Sequence, residues 1–197
     1  MAREYRFDES YYRRYYTDPR TRVMTGEEYA ALGDFVCSYL KYMGQPVRRV
    51  VDLGCGLGLW RSALARHFPQ ASYTGVETSE YLCRRYGWRR GSVIDFGARH
   101  PFDLVICQGV LQYLPPAEAE VALANLARLC RGALYFDALT REDWEENVDR
   151  EHTDGDVYLR AGGWYRRRLA KFFINAGGGV FVSHESPAIV FELEKLE

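Results

Sequence analysis

Apolar positions along the chain form short blocks of two kinds. One kind is nearly continuous and bounded by turn residues: Arg48 to Leu53, Tyr73 to Glu77, Gly91-Ser92-Val93-Ile94, Phe102 to Cys107 and Gly132 to Phe136. Asp103-Leu104-Val105-Ile106-Cys107 is the clearest, reading as a strand covered on both faces. The other kind repeats at helical spacing. Tyr29, Leu32, Val36, Tyr39 or Leu40, and Met43 share one face of a helix over 26–43, and Leu59 to Phe68, 80–86 and 117–129 follow the same period. Thr25 with Glu28 predicts a capping box, Ser79 predicts an N-cap, and Pro115-Pro116 opens the 117–129 helix. Strands alternating with helices predict a parallel sheet.

The two ends depart from this alternation. A helix is expected from Gly163 to Asn175, stopped by the triple glycine 177–179. Val180 to Ser183 and Ala188 to Leu193 then read as strands joined by only four residues, too few for a crossover helix, so this pair must be antiparallel. Before the first long helix, residues 1–24 form an aromatic, arginine-rich arm. Tyr11 with Tyr15 and Tyr12 with Tyr16 stand at i,i+4 on a short helix over 9–17, which Asp18-Pro19 would end. The expected organisation is this arm, either a lid or an amphipathic segment packed on the sheet's flank, and one domain over 25–197.

A chain of 197 residues suits a single α/β domain. With 26 basic and 27 acidic residues its formal charge is -1, which argues against bulk attraction to nucleic acid or anionic membranes. Arginine clusters at 84–90 and 166–168 are exceptions that read as solvated helix faces. No apolar stretch approaches 20 residues, and the opening Met-Ala-Arg-Glu-Tyr-Arg-Phe is not a leader, so a cytoplasmic protein is expected. Five dispersed cysteines predict reduced thiols in or near the core, with no metal site.

The chemistry concentrates in Val50-Val51-Asp52-Leu53-Gly54-Cys55-Gly56-Leu57-Gly58, a strand that ends in a turn where a ligand can approach the backbone. Twenty-three residues after Gly54, Glu77 ends the next strand and places a carboxylate where a ribose would lie. The dinucleotide fingerprint fails, because its third glycine position is Leu59, and the lysine of a phosphate loop is missing. Asp52 would repel a pyrophosphate and suits a cationic or zwitterionic ligand.

On these residues the chain resembles the class I, seven-strand S-adenosylmethionine-dependent methyltransferases over about residues 25–193. Asp52-Leu53-Gly54-Cys55-Gly56-Leu57-Gly58 matches the acid followed by Gly-x-Gly-x-Gly, Glu77 the ribose acid, and Phe102-Asp103 with its apolar run the fourth strand. The family also ends in an antiparallel hairpin. The implied fold is a doubly wound, mostly parallel seven-stranded sheet with helices on both faces and a C-terminal antiparallel hairpin. The implied cofactor is S-adenosyl-L-methionine, held by Asp52, Gly54, Cys55, Gly56, Gly58, Glu77, Thr78, Gln108 and Gly109. Its adenine would meet Ser92 and Val93, because the acid that many members carry there is replaced by Ser92, with Asp95 three residues on. Where many members have Glu-His this chain has Gln112-Tyr113, which removes one general-base histidine. Tyr15, Asp137 and His152 are the remaining catalytic candidates, and Tyr11, Tyr16, Gln112, Tyr113 and Trp164 are expected at the substrate. The expected activity is methyl transfer to an O or N atom of a small molecule. The rivals are a protein or RNA methyltransferase and a noncatalytic, cofactor-binding partner subunit.

Overall fold

A computed structural model describes residues 7–196. Seven strands make one sheet: β1 (Arg49–Leu53), β2 (Ser72–Glu77), β3 (Arg89–Arg90), β4 (Phe102–Gln108), β5 (Cys130–Asp137), β6 (Phe173–Asn175) and β7 (Val180–Ser183), in the order β3-β2-β1-β4-β5-β7-β6. β3, β2, β1, β4 and β5 run parallel, while β7 is antiparallel to both β5 and β6. The chain winds outward from β1 to β3, then returns to β4 beside β1. That reversal opens a crevice at the carboxyl ends of β1 and β4, where open sheets of this kind take ligands.

Both faces of the sheet are covered. On one, Val50, Leu104, Ile106 and Tyr135 pack against α2 (Gly26–Tyr42) and α3 (Trp60–His67) through Val36, Leu40, Trp60 and Leu64. On the other, Val51, Leu53, Val105 and Leu134 meet α5 (Pro116–Leu129) and α7 (Gly162–Leu169) through Leu123, Leu126 and Leu169. Each fully buried leucine among these contributes about 2 kcal/mol. The capping box of α2 is formed as expected, with the Glu28 amide donating to Thr25 Oγ1 at 3.1 Å and the Thr25 amide to Glu28 at 2.6 Å. Ser79 caps α4 (Glu80–Tyr86), and Pro116 sits in the first turn of α5.

Two elements differ from the sequence expectation. The third strand is Arg89–Arg90, not 91–94, because Ser92 to Phe96 turns back on itself with the Phe96 amide donating to the Ser92 carbonyl. The C-terminal hairpin is built from 173–175 and 180–183, not from 180–183 and 188–193. The helix stops at Leu169, six residues before Asn175, and Gly177, Gly178 and Gly179, all at positive φ, turn β6 tightly into β7. Residues 188–193 instead run past the end of α2, where the Ile189 amide donates to the Met43 carbonyl.

Asp103 holds the other end of the sheet. Its Oδ2 accepts the Arg48 and Arg49 amides at 2.8 and 2.9 Å, and its Oδ1 accepts Arg131 Nε at 2.8 Å, joining the entries of β1, β4 and β5. Burial alone would raise its pKa, but the Arg48 amide and Arg131 outweigh it and hold the carboxyl below the usual range. Asp103→Ala, which strips two backbone amides of their acceptor, is expected to lower the unfolding free energy by about 2–3 kcal/mol in a urea titration. Because the folded pKa is depressed, the wild-type advantage should be full at neutral pH and fade as pH falls through that value.

Candidate functional site

The turn after β1 is shaped by two glycines. Gly54 has φ +77°, and a Cβ there would stand 2.4 Å from Val110 Cγ2; Gly58 has φ +73°, and its Cβ would stand 2.7 Å from the Trp88 ring. Neither position admits a side chain, so the loop lies flat against its neighbours and leaves the space above it open. The Gly54 and Cys55 amides donate to the Val76 carbonyl, and Trp88 Nε1 donates to the Gly56 carbonyl at 2.9 Å.

Glu77, 4% exposed, ends β2 beside this loop. One oxygen accepts the Gly56 amide at 2.9 Å; the other accepts the Thr78 and Ser79 amides at 2.8 and 3.0 Å. The carboxylate faces a cavity of about 160 Å³ lined by Thr78, Ser92, Val93, Gly109, Tyr12 and Tyr16, among others. Asp95 is exposed and stands outside it, so Ser92 and Val93 are the residues of that segment at the site. Buried Asn125 fixes them, donating from Nδ2 to the Val93 and Phe96 carbonyls at 2.9 and 3.1 Å.

A larger cavity of about 260 Å³ shares Tyr11, Tyr16, Gly54, Gly56, Gln108, Gly109 and Tyr113 with the first. Asp52 lies at its floor, 2% exposed, accepting the Tyr73 hydroxyl at 2.7 Å. Burial pushes Asp52 up to about 7, the Tyr73 hydrogen bond opposes this, and the nearby Glu77 charge adds to it. Gln108 Oε1 accepts Trp60 Nε1 at 2.9 Å, which orients that amide. Asp137 pairs in register with Gln108 across β4 and β5, and it is exposed at the end of its strand, where it lines the cavity. Burial, with Asp143 close by, raises its pKa above the ordinary carboxylate range.

The arm forms one wall. α1 (Glu9–Tyr12) continues into a single π turn, Arg13–Thr17, and this places Tyr11, Tyr15 and Tyr16 on the cavity together. Residues 1–6 of the expected arm lie outside the described residues. Ser79 Oγ donates to the Phe7 carbonyl, and the Tyr11 and Tyr113 hydroxyls stand 2.8 Å apart. Tyr113 in turn donates to Asp154 Oδ2 at 3.1 Å. Burial raises the pKa of Tyr15, so at neutral pH it is a phenol, not a phenolate base.

Ten of the eleven expected cofactor residues, together with Tyr11, Tyr15, Tyr16, Gln112, Tyr113 and Asp137, therefore surround these two cavities; the eleventh, Gly58, lines neither and packs against the Trp88 ring. His152 and Trp164 do not. His152 Nδ1 pairs with Asp149 at 2.8 Å, and Nε2 meets the Arg20 carbonyl at 2.9 Å, so its ring fastens a loop to the base of the arm. Trp164, half-buried on α7 and packed against the core, stacks under the Arg168 guanidinium, 3.8 Å from the ring centre. Trp60, Trp88, Asn125 and Arg160 are functional supports the sequence did not reveal. Arg160, 7% exposed, donates to the Leu111 carbonyl at 3.0 Å and to the Leu114 carbonyl, bracing the Gln112-Tyr113 wall.

Comparison with known proteins agrees with this architecture. Residues 51–132 match a family described as a methyltransferase domain. A ubiquinone biosynthesis O-methyltransferase of Azoarcus is 31% identical over 51% of this chain and 48% of its own length. A trans-aconitate 2-methyltransferase of Deinococcus radiodurans is 33% identical over 36% of this chain and 30% of its own. The chain thus spans half or less of the length of these curated relatives. Among solved structures, a sugar N-methyltransferase from Streptoalloteichus aligns with TM-score 0.63 and 20% identity over 82% of this chain and 89% of that one. An amino pentose methyltransferase from Micromonospora echinaspora aligns with TM-score 0.60 and 19% identity over 92% and 98%. Sheet order, crevice and motif together place this chain in the class I, seven-strand S-adenosylmethionine-dependent methyltransferase fold.

Proposed function

We propose that this chain is an S-adenosylmethionine-dependent methyltransferase acting on an O or N atom of a small molecule. The observation that carries the reading is the buried Glu77 carboxylate, held by three backbone amides and turned to a cavity that shares its wall with the one above Asp52. The relatives named for small-molecule O-methylation support a small acceptor.

The donor set fits S-adenosylmethionine. Glu77 Oε2 carries one amide, leaving a lone pair for a ribose hydroxyl. Ser92 and Val93 border the adenine side, with Tyr12 and Tyr16 as apolar walls. Asp52 supplies the anion for the amino-acid ammonium. Gln108, its Oε1 taken by Trp60, keeps Nε2 to donate to the amino-acid carboxylate. When bound, the cofactor supplies a methyl group on a positively charged sulfur, electrophilic enough to need little further activation.

The protein's tasks are then to align the acceptor, exclude water and take a proton. The tyrosine arm covers the cavity and serves as the lid. Asp137, at the end of β5 and above the ordinary carboxylate range, is the base that faces the cavity.

Calorimetric titration with S-adenosylmethionine and S-adenosylhomocysteine tests the reading. Micromolar binding is expected, weakened about 10- to 100-fold by Glu77→Ala, the size of one or two lost charge-assisted hydrogen bonds; wild-type affinity in a folded variant overturns the assignment. Because a cation favours the Asp52 carboxylate over its acid, S-adenosylmethionine binding should strengthen as pH rises from about 6 to 7.5 and release a proton. Asp52→Asn should remove that slope, and an unchanged slope assigns it to another group. Deleting residues 1–20 should weaken cofactor binding and turnover together, whereas unchanged values dismiss the lid.

A further inference from the structure

The larger cavity holds four carboxylates, Asp52, Asp137, Asp143 and Asp154, and no lysine, arginine or histidine lines it among the described residues. On the methyltransferase reading, on which this inference rests, Asp52 is matched by the ammonium of the cofactor. Three negative groups remain on the acceptor side. Asp143 accepts from Thr140 and Asn147, and these bonds outweigh burial and keep it ionised. Asp154 accepts the Tyr113 hydroxyl at 3.1 Å. Asp137 has no side-chain donor among the described residues; the Ala138 amide is its neighbour.

A second feature points the same way. Gln112, 8% exposed, lines this cavity, and its Oε1 has no hydrogen-bond partner among the described residues. A buried acceptor left empty costs free energy that a donating ligand recovers. The facing surface is aromatic, with Tyr11, Tyr15, Tyr16, Tyr29 and Trp60 presenting rings suited to a cation. A carboxylate acceptor would add another negative charge to a cavity whose described lining offers no basic side chain to meet it. A hydroxyl acceptor would leave Asp137 uncompensated.

We infer that the methyl acceptor is a small amine that enters as its ammonium ion, is recognised by Asp137 and the tyrosine wall, and is methylated on nitrogen. The ammonium first yields one proton to the Asp137 carboxylate, which frees the nitrogen lone pair. That pair forms the new N–C bond while the C–S bond breaks, its electrons remaining on sulfur as the neutral thioether. The product nitrogen carries the positive charge and leaves as an ammonium ion or loses a proton to solvent, and Asp137 returns its proton to water.

The test is binding, without turnover. Protein saturated with S-adenosylhomocysteine is titrated with three matched sets, each an amine, an alcohol and a carboxylate on a benzyl, cyclohexylmethyl or pyranose frame, and followed by calorimetry and melting temperature. The amine of at least one set should bind about tenfold or more tighter than its alcohol and its carboxylate. Asp137→Asn should remove that preference while S-adenosylhomocysteine affinity stays within about twofold. Equal responses across every set, or preference for a carboxylate or alcohol, overturn the amine assignment while leaving the methyltransferase reading intact. If S-adenosylhomocysteine itself does not bind, the underlying reading fails and the inference falls with it. The wild-type panel decides the matter even if Asp137→Asn does not fold.

Discussion

Glu77 accepts the Gly56 amide through one oxygen and the Thr78 and Ser79 amides through the other, so one buried carboxylate ties the turn after β1 to the turn after β2. The rest of the site depends on this. A buried carboxylate is costly unless its lone pairs are filled, and here backbone amides of two loops fill them. The loops are therefore held in the one arrangement that satisfies the charge. Trp88 completes the clamp, resting against Gly58 and Gly75 while its indole N–H donates to the Gly56 carbonyl. The glycines allow that contact, and Glu77 sets its register. The proposed cofactor contact and the hold on the two loops are thus properties of the same side chain.

Strands β1, β2, β4, β5 and β7, the capping box and the acidic-glycine turn were legible in the sequence because each is a local signal. Val50 to Gly58 contains its own strand, carboxylate and turn, and Thr25 with Glu28 closes a loop of four residues. The misplaced hairpin shows where local signals stop. Phe172 and Phe173 fit a helical stripe and a strand equally well, and β7, antiparallel to β5 across the sheet, decides between them. Gly177 to Gly179 read as a helix stop but serve as the hairpin turn itself. Trp60, Trp88, Asn125 and Arg160 were hidden for a related reason. Their partners lie 32 to 49 residues away, at Gln108, Gly56, Val93 and Leu111, and no spacing rule announces such contacts.

The two histidine and tryptophan candidates failed for opposite reasons. His152, a candidate base, sits among Asp149, Glu151 and Asp154, and one of these carboxylates holds it away from the cavity. Asp149 on one ring nitrogen and the Arg20 carbonyl on the other leave it no free edge. Its pKa is raised chiefly by the Asp149 hydrogen bond, which suits a fastening that favours the protonated ring. Trp164 was expected to be an aromatic wall at the substrate, and it is a wall instead for the guanidinium groups of Arg168 and buried Arg160.

Charge and enclosure on the substrate side reinforce each other. The arm is held by hydrogen bonds from Ser79 to Phe7, from Tyr11 to Tyr113 and from His152 to Arg20. Each of these draws tyrosine rings over the carboxylates below. Covering a charge with aromatic surface lowers the effective dielectric around it and strengthens its interaction with whatever enters. Asp52 and Asp137 record this in pKa values moved upward by burial. An ionised carboxylate in such a place is tolerated when a cation meets it, so on the proposed reading the arm would make the cavity selective by sign before any contact with the body of the ligand is made. The sulfur centre of the implied cofactor is itself cationic and loses that charge on methyl transfer. A second positive charge beside it would be repelled, unless a carboxylate stood between them or took a proton first. Asp137, in register with Gln108 at the ends of neighbouring strands, is placed to do both.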